Sequence, residues 1–258
     1  MARAADLLRD RVRGWDPVAL FEMAHGFPPL DWQAPYLRET KNCVVLKGRQ
    51  VGASTCAGLL AVRMAVYFPN TLAAVVSPSL KQSTEVKVRA KEGLDRLDVD
   101  VKQDSASMIG LRNGSRIMSL PGSAKSVRGW TADLLVIDEA AFLSQATFLA
   151  ARATAATGGR IIVQSTPAGP YGHFYDMWKL EDPAWAKYRV TSEEVDTISP
   201  EFLAAERASM TPEEFAQEYL AMFTRPGVGL VDPARLAELT AAREEGTETV
   251  WDRMGGRA

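Results

Sequence analysis

The chain has 258 residues, 47% of them hydrophobic and 24% charged, with a formal net charge of −2; that is enough for a full core in one large α/β domain, or in one domain with a small appendage. A charge so near neutral excludes capture of nucleic acid by the chain as a whole, so any DNA contact must come from a local basic patch or from several copies arranged around the duplex. Two cysteines, Cys43 and Cys56, make no disulfide framework, no apolar run reaches membrane-spanning length and the N-terminus lacks a signal-peptide core, so a cytosolic protein with small buried thiols is expected.

In chain order, residues 4–13 read as a short amphipathic helix, and Asp16-Pro17 supplies a cap and first-turn proline for a second that runs to about His25. Asp31 is placed to cap a third, which contains Trp32, Gln33 and Tyr36. A glutamine amide can pair with the edge of adenine while an aromatic ring covers its face. Trp and Tyr at helical spacing also serve simply as core.

Val44, Val45 and Leu46 then lead into Lys47-Gly48-Arg49-Gln50-Val51-Gly52-Ala53-Ser54-Thr55, and the small residues 53–61 read as the first turns of a helix. Strand, glycine loop and helix N-terminus together wrap backbone N–H groups around phosphates, with the positive end of the helix dipole behind them. The usual phosphate-loop pattern ends in Gly, Lys and Ser/Thr, the Lys on the β/γ-phosphates and the hydroxyl on magnesium. Counted back from Ser54, the Lys slot holds Ala53 and the first glycine slot holds Lys47. A cation can still reach the same oxygens from Lys47 at the loop entrance or from Arg49 within it. The alternative is a plain strand-to-helix turn with both cations solvated.

A strand at 71–77 and a helix at 79–97 follow, the helix with interleaved Lys, Arg, Glu and Asp that suit a solvated face. Asn113-Gly114 predicts a hairpin over 106–120. A polar loop at 123–130 carries Lys125 and Arg128. The apolar run 134–137 has the texture of a central parallel strand and ends in Asp138-Glu139; an alanine-rich helix at about 144–156 separates it from a second such run, 160–164, ending in Ser165-Thr166-Pro167. Polar residues at the carboxyl ends of successive strands gather a site along one edge of an open α/β sheet. An edge strand at 187–191 precedes helices at 199–208 and 211–222, the second opened by the capping box Thr211 to Glu214. Residues 225–229 read as a linker, 232–245 as a final helix, and 246–258 as a frayed end.

An acidic pair after a strand can be a helix cap, and Ser-Thr-Pro can be a turn. In this order, with the glycine loop and the Arg128 loop before them, they form the set that metal-assisted phosphoryl transfer to water requires. Together the residues point to a nucleotide hydrolase.

The chain resembles the ATPase domain of the large terminase subunit of tailed bacteriophages, the motor that packs DNA into the empty capsid. The resemblance covers roughly residues 30–225. It is carried by Trp32-Gln33, the loop from Gly48 to Thr55, Val127-Arg128-Gly129, Leu135-Val136-Ile137-Asp138-Glu139-Ala140, Ser165-Thr166-Pro167 and Phe215-Ala216-Gln217-Glu218-Tyr219-Leu220. It implies an α/β fold of the ASCE-type P-loop NTPases, with a mainly parallel central sheet flanked by helices and a small helical lid. ATP and Mg2+ would be the cofactors. Gln33 would read adenine, while Gly48, Arg49, Gln50, Gly52, Ala53, Ser54 and Thr55 would cradle the nucleotide, with Ser54 and Asp138 on the metal. Glu139 would polarise the attacking water, Lys47 or Arg49 would replace the missing lysine, and Thr166 would sense the γ-phosphate. Arg128 would act as an arginine finger toward a neighbouring subunit.

The implied partners are double-stranded DNA, further copies in a homo-oligomeric ring (a pentamer on the capsid portal), the portal protein and the small terminase subunit. No membrane is involved, and the implied place is the host cytoplasm, docked on the procapsid. The expected organisation is an ATPase core at 1–181, a lid at 182–225, and a linker with a C-terminal helix and tail at 226–258. Large terminases usually continue into a nuclease domain, which 33 residues after Arg225 cannot build, so no nuclease activity is expected of this chain. Two other readings stay open: a helicase-like DNA translocase, and a nucleotide-binding assembly module that does not hydrolyse.

Overall fold

A computed structural model describes residues 15–225; the helix expected at 4–13 and the linker, final helix and tail expected after 225 lie outside the described residues. The chain divides into two units, Met1–Thr224 and Arg225–Ala258, and every element below belongs to the first. Asp16 caps α1 (Pro17–His25) by accepting from the Val18 N–H at 3.2 Å, and Gly26 closes it at φ 79°. Asp31 does not cap α2 (Gln33–Arg38). Trp32 holds the cap position with helical dihedrals, and Gln33 Oε1 accepts from the Leu30 N–H at 2.9 Å instead.

β1 (Asn42–Lys47), α3 (Ala53–Tyr67), β2 (Leu72–Ser77) and α4 (Leu80–Arg96) follow as expected, with Ser79 and Gln82 forming a capping box at the start of α4. The hairpin is present as β4 (Met108–Leu111) and β5 (Arg116–Pro121), and an unforeseen strand, β3 (Val101–Asp104), pairs with β4. A single turn, α5 (Ala124–Val127), interrupts the polar loop before β6 (Ala132–Asp138).

α6 (Gln145–Arg152) stops short of the expected 156. Thr154 donates its hydroxyl to the Ala151 carbonyl at 2.7 Å and accepts through its own carbonyl from the Ala132 N–H at 2.8 Å, which turns the chain into β7 (Ala155–Ser165). α7 (Gly172–Lys179), which the sequence reading did not contain, leads to β8 (Trp185–Val190), then α8 (Pro200–Ser209) and α9 (Pro212–Glu218). β8 lies in the main sheet, so the sheet extends past residue 182. Beyond β8, a small apolar cluster brings Val195, Leu203, Phe215 and Tyr219 against Val51 and Ala53.

The eight strands run in the order β3-β4-β5-β2-β6-β7-β1-β8. The six from β5 to β8 are parallel, and β3 and β4 form an antiparallel margin. Both faces are covered, which explains why the central strands read as unbroken apolar runs. Val45, Val75, Val136 and Ile162 face Phe21, Tyr36, Leu59 and Leu94 on one side. Val44, Ile137 and Val163 face Phe148 and Phe174 on the other. At about 1.5–3 kcal/mol for each large apolar side chain removed from water, these two layers hold the strand ends in fixed register. None of the described helices is long and apolar enough to cross a membrane.

Candidate functional site

The site lies where β1, β7 and β6 end side by side. Leu46 pairs with Ser165 and Gln164 with Asp138, so the phosphate loop, Ser165-Thr166 and the acidic pair emerge from one edge of the sheet.

Backbone contacts shape the loop. Gly48 donates to the Val190 carbonyl at 2.8 Å, Arg49 donates to the Glu218 carbonyl at 2.8 Å, and Ser192 Oγ donates to the Arg49 carbonyl at 2.6 Å. A Cβ at Gly48 would sit 2.5 Å from the Tyr219 oxygen and 2.9 Å from the Ser192 nitrogen, so only glycine fits. Gln50 (φ 60°) and Gly52 (φ 81°) turn the chain back into α3, where no side chain caps the helix. The first N–H groups of a 15-residue helix are thereby left for a ligand.

Gln33 is not open to an adenine ring. It is 3% exposed, its oxygen holds the Leu30 N–H, and its nitrogen lies 3.5 Å from both the Val51 and Gly52 carbonyls, while Trp32 Nε1 donates to Val51 at 3.2 Å. In this geometry Trp32 and Gln33 brace the loop.

Lys47 is buried, and its Nζ donates to Glu139 Oε1 at 2.5 Å. Burial alone would push the ammonium down, but the charges of Glu139 and Asp138 outweigh it and hold Lys47 above its ordinary value. Glu139 sits in left-handed backbone (φ 49°, ψ 45°), a conformation that costs a non-glycine residue about 1–3 kcal/mol and gathers at functional sites. Its other oxygen accepts from Ser165 Oγ and the Thr166 N–H at 3.3 Å, and from Thr166 Oγ1 at 3.4 Å. Asp138 is buried, and burial, with Glu139 beside it, pushes its carboxyl up. Gln164 Nε2 donates to Asp138 Oδ1 at 2.8 Å. Arg49 pairs with Glu218, which raises its guanidinium further, and its side chain is 59% exposed.

Two adjoining cavities flank the loop. One, of about 500 Å³, is lined by Lys47, Arg49, Gln50, Ser54, Glu139 and Thr166, with Gln82, Phe142, Glu218 and Tyr219. The other, of about 360 Å³, adds Gly48, Gly52, Ala53 and Thr55, opposite Glu85 and Arg89 of α4. Asp138, Gln33 and Arg128 line neither. Arg128 is exposed at the C-terminus of α5 and makes no hydrogen bond or ion pair among the described residues.

Gln164, Gln82, Glu85 and Arg89 were missed in the sequence. Gln164 left a signal: an amide inside an otherwise apolar central strand. Glu218 and Tyr219 stood in a flagged motif without a role, and the structure gives them one as the wall behind the loop.

A family model described as terminase large subunit, T4likevirus-type, N-terminal, matches residues 44–251. Among solved structures, the large terminase ATPase domain of Thermus phage P74-26 superimposes with a TM-score of 0.66 at 20% identity, over 79% of this chain and 97% of that one. The large terminase of the thermophilic bacteriophage D6E in complex with ADP gives 0.66 at 15%, over 76% and 54%. The HK97 bacteriophage large terminase gives 0.62 at 16%, over 83% and 55%, so this chain spans about half the length of those two. At such identities the structural likeness establishes the shared fold alone, a mostly parallel sheet between two layers of helices. The family match covers the phosphate loop, both acids and Ser165-Thr166, and the chain belongs to the terminase large subunit family, T4likevirus-type, N-terminal.

Proposed function

We propose that this chain is the ATP-hydrolysing motor domain of a viral terminase, which couples hydrolysis to movement of double-stranded DNA into the capsid. The observation that carries the reading is the half-buried Lys47–Glu139 pair beside the phosphate loop, with Ser165 and Thr166 on the same carboxylate. A cradle for phosphate, a cation beside it, and an acid placed by its neighbours are what hydrolysis of a phosphoanhydride needs.

Ser54 and Asp138 would hold Mg2+. Their hydroxyl and carboxylate are hard oxygen donors that fit it, and the described residues contain no cluster of three or more His, Cys, Asp or Glu able to hold a metal without help. A cation that takes its remaining ligands from phosphate and water suits such a sparse set. When bound it would neutralise phosphate charge. Lys47, at the mouth of the loop, would turn from Glu139 to the β/γ-phosphate oxygens. Glu139 would then orient a water for in-line attack on the γ-phosphorus: a new P–O bond forms, the bond to the ADP oxygen breaks, and the water proton leaves toward the carboxylate. Thr166, on the same carboxylate, would report the γ-phosphate state, and Arg128 would supply charge to the site of a neighbouring copy.

Residues 191–224 would act as the lid, and the portal protein, the small terminase subunit and a homo-oligomeric ring docked on the procapsid in the host cytoplasm complete the proposed setting. Phosphate release from ATP, measured with and without double-stranded DNA, tests the reading. Turnover that DNA stimulates and that Glu139→Gln lowers by about 10²-fold is expected. Nucleotide binding without any phosphate release would instead identify an assembly module.

A further inference from the structure

Three consecutive residues at the end of β7 hold the two acids at the end of β6. Ser165 and Thr166 reach Glu139; Gln164, in register with Asp138, donates to its Oδ1 at 2.8 Å. Gln164 is fully buried, follows Ile161, Ile162 and Val163 along the strand, and its Oε1 has no partner. A buried amide with one half unpaired is unfavourable at a position where valine or isoleucine would pack without loss. Packing therefore does not account for it, whereas the bond to Asp138 does.

That bond also separates the two acids. Lys47 pairs with Glu139, while Asp138, next to it in sequence and buried at the same strand end, takes its hydrogen bond from the neutral amide. The amide holds Oδ1 and so favours one orientation of the Asp138 carboxylate beside the Lys47 charge.

We infer that Gln164 is a positioning residue for the divalent cation: it presets the orientation of the Asp138 carboxylate, so that the cation meets a fixed oxygen. This rests on Asp138 being a metal ligand, as proposed above. Partners of this kind behind a metal ligand change metal affinity by about 10–100-fold when removed.

The test uses the full chain saturated with ADP and Mn2+ as the probe, read directly by electron paramagnetic resonance. Gln164→Met keeps the volume and removes the donor. It should raise the Mn2+ Kd about 10–100-fold and leave fluorescent-ADP affinity in chelator unchanged. Should Gln164→Met fail to fold, Gln164→Asn, whose amide is withdrawn by one methylene, decides by the same measure. A folded variant with unchanged Mn2+ affinity overturns the inference. Asp138→Asn separates the two levels: if it does not weaken Mn2+ binding, the ligand role of Asp138 falls, and if it does while the Gln164 variants do not, only the positioning role falls.

Discussion

Lys47 and Arg49 stand two residues apart and meet different carboxylates. Lys47 is enclosed with Glu139 and Asp138 at the foot of the cavity, whereas Arg49 reaches outward to Glu218. The enclosed ammonium is the better placed to replace the lysine missing at Ala53. Lys47→Ala should abolish phosphate release and, by stranding the buried Asp138 and the half-buried Glu139, cost stability of about 3 kcal/mol, the low end for breaking a buried pair. Arg49→Ala breaks an exposed pair and should leave the unfolding midpoint nearly unchanged. Normal hydrolysis by Lys47→Ala removes it from this role. Glu139→Gln keeps the shape of the side chain but removes its charge and one of its two acceptor oxygens; ATP affinity should hold while turnover drops by about 10², and equal loss of both would mark Glu139 as a structural cap.

Among elements, the phosphate loop depends on chain more than 140 residues away. The carbonyls of Glu218 and Tyr219 accept from Arg49 and Ser192, so α9 ends at Glu218 instead of running on to 222, and Ala221 takes left-handed backbone (φ 50°). Local pattern held the start of that helix, in the box from Thr211 to Glu214, but its end was set by a distant partner and could not be read from residues 211–222 alone. The same holds for Gln33, whose amide is committed to the loop by packing that no spacing reveals. By contrast the gathering of Gly48, Ser54, Asp138, Glu139 and Thr166 at one edge of the sheet was legible, because strand ends and glycine turns are local and the parallel sheet aligns them. Gly48→Ala tests the long-range support. Forcing a Cβ against the Tyr219 oxygen should cost about 1–3 kcal/mol and weaken nucleotide binding, read by thermal denaturation and by titration with a fluorescent nucleotide. An unchanged midpoint would mean that residues 218–221 yield easily.

At the scale of the molecule, Arg128 is a guanidinium without a partner among the described residues, exposed before the acidic strand. A cation supplied to a neighbour's site can raise hydrolysis by about 10³–10⁵, so activity of the chain should rise more steeply than linearly with its concentration. An Arg128→Ala subunit mixed with a Glu139→Gln subunit should recover turnover, since one mixed interface holds both intact groups. No recovery in rings shown to be mixed would confine Arg128 to its own subunit.

How copies meet is also constrained by the two margins of the sheet. β3 is only four residues long and carries Lys102 and Asp104, and β8 carries Lys187 and Arg189, the latter holding the carbonyls of Leu220 and Ala221. Short, charged or occupied edges refuse a further strand. Among the described residues the sheet therefore offers no open margin to template its own growth, which leaves helix and loop surfaces as the places where copies can meet.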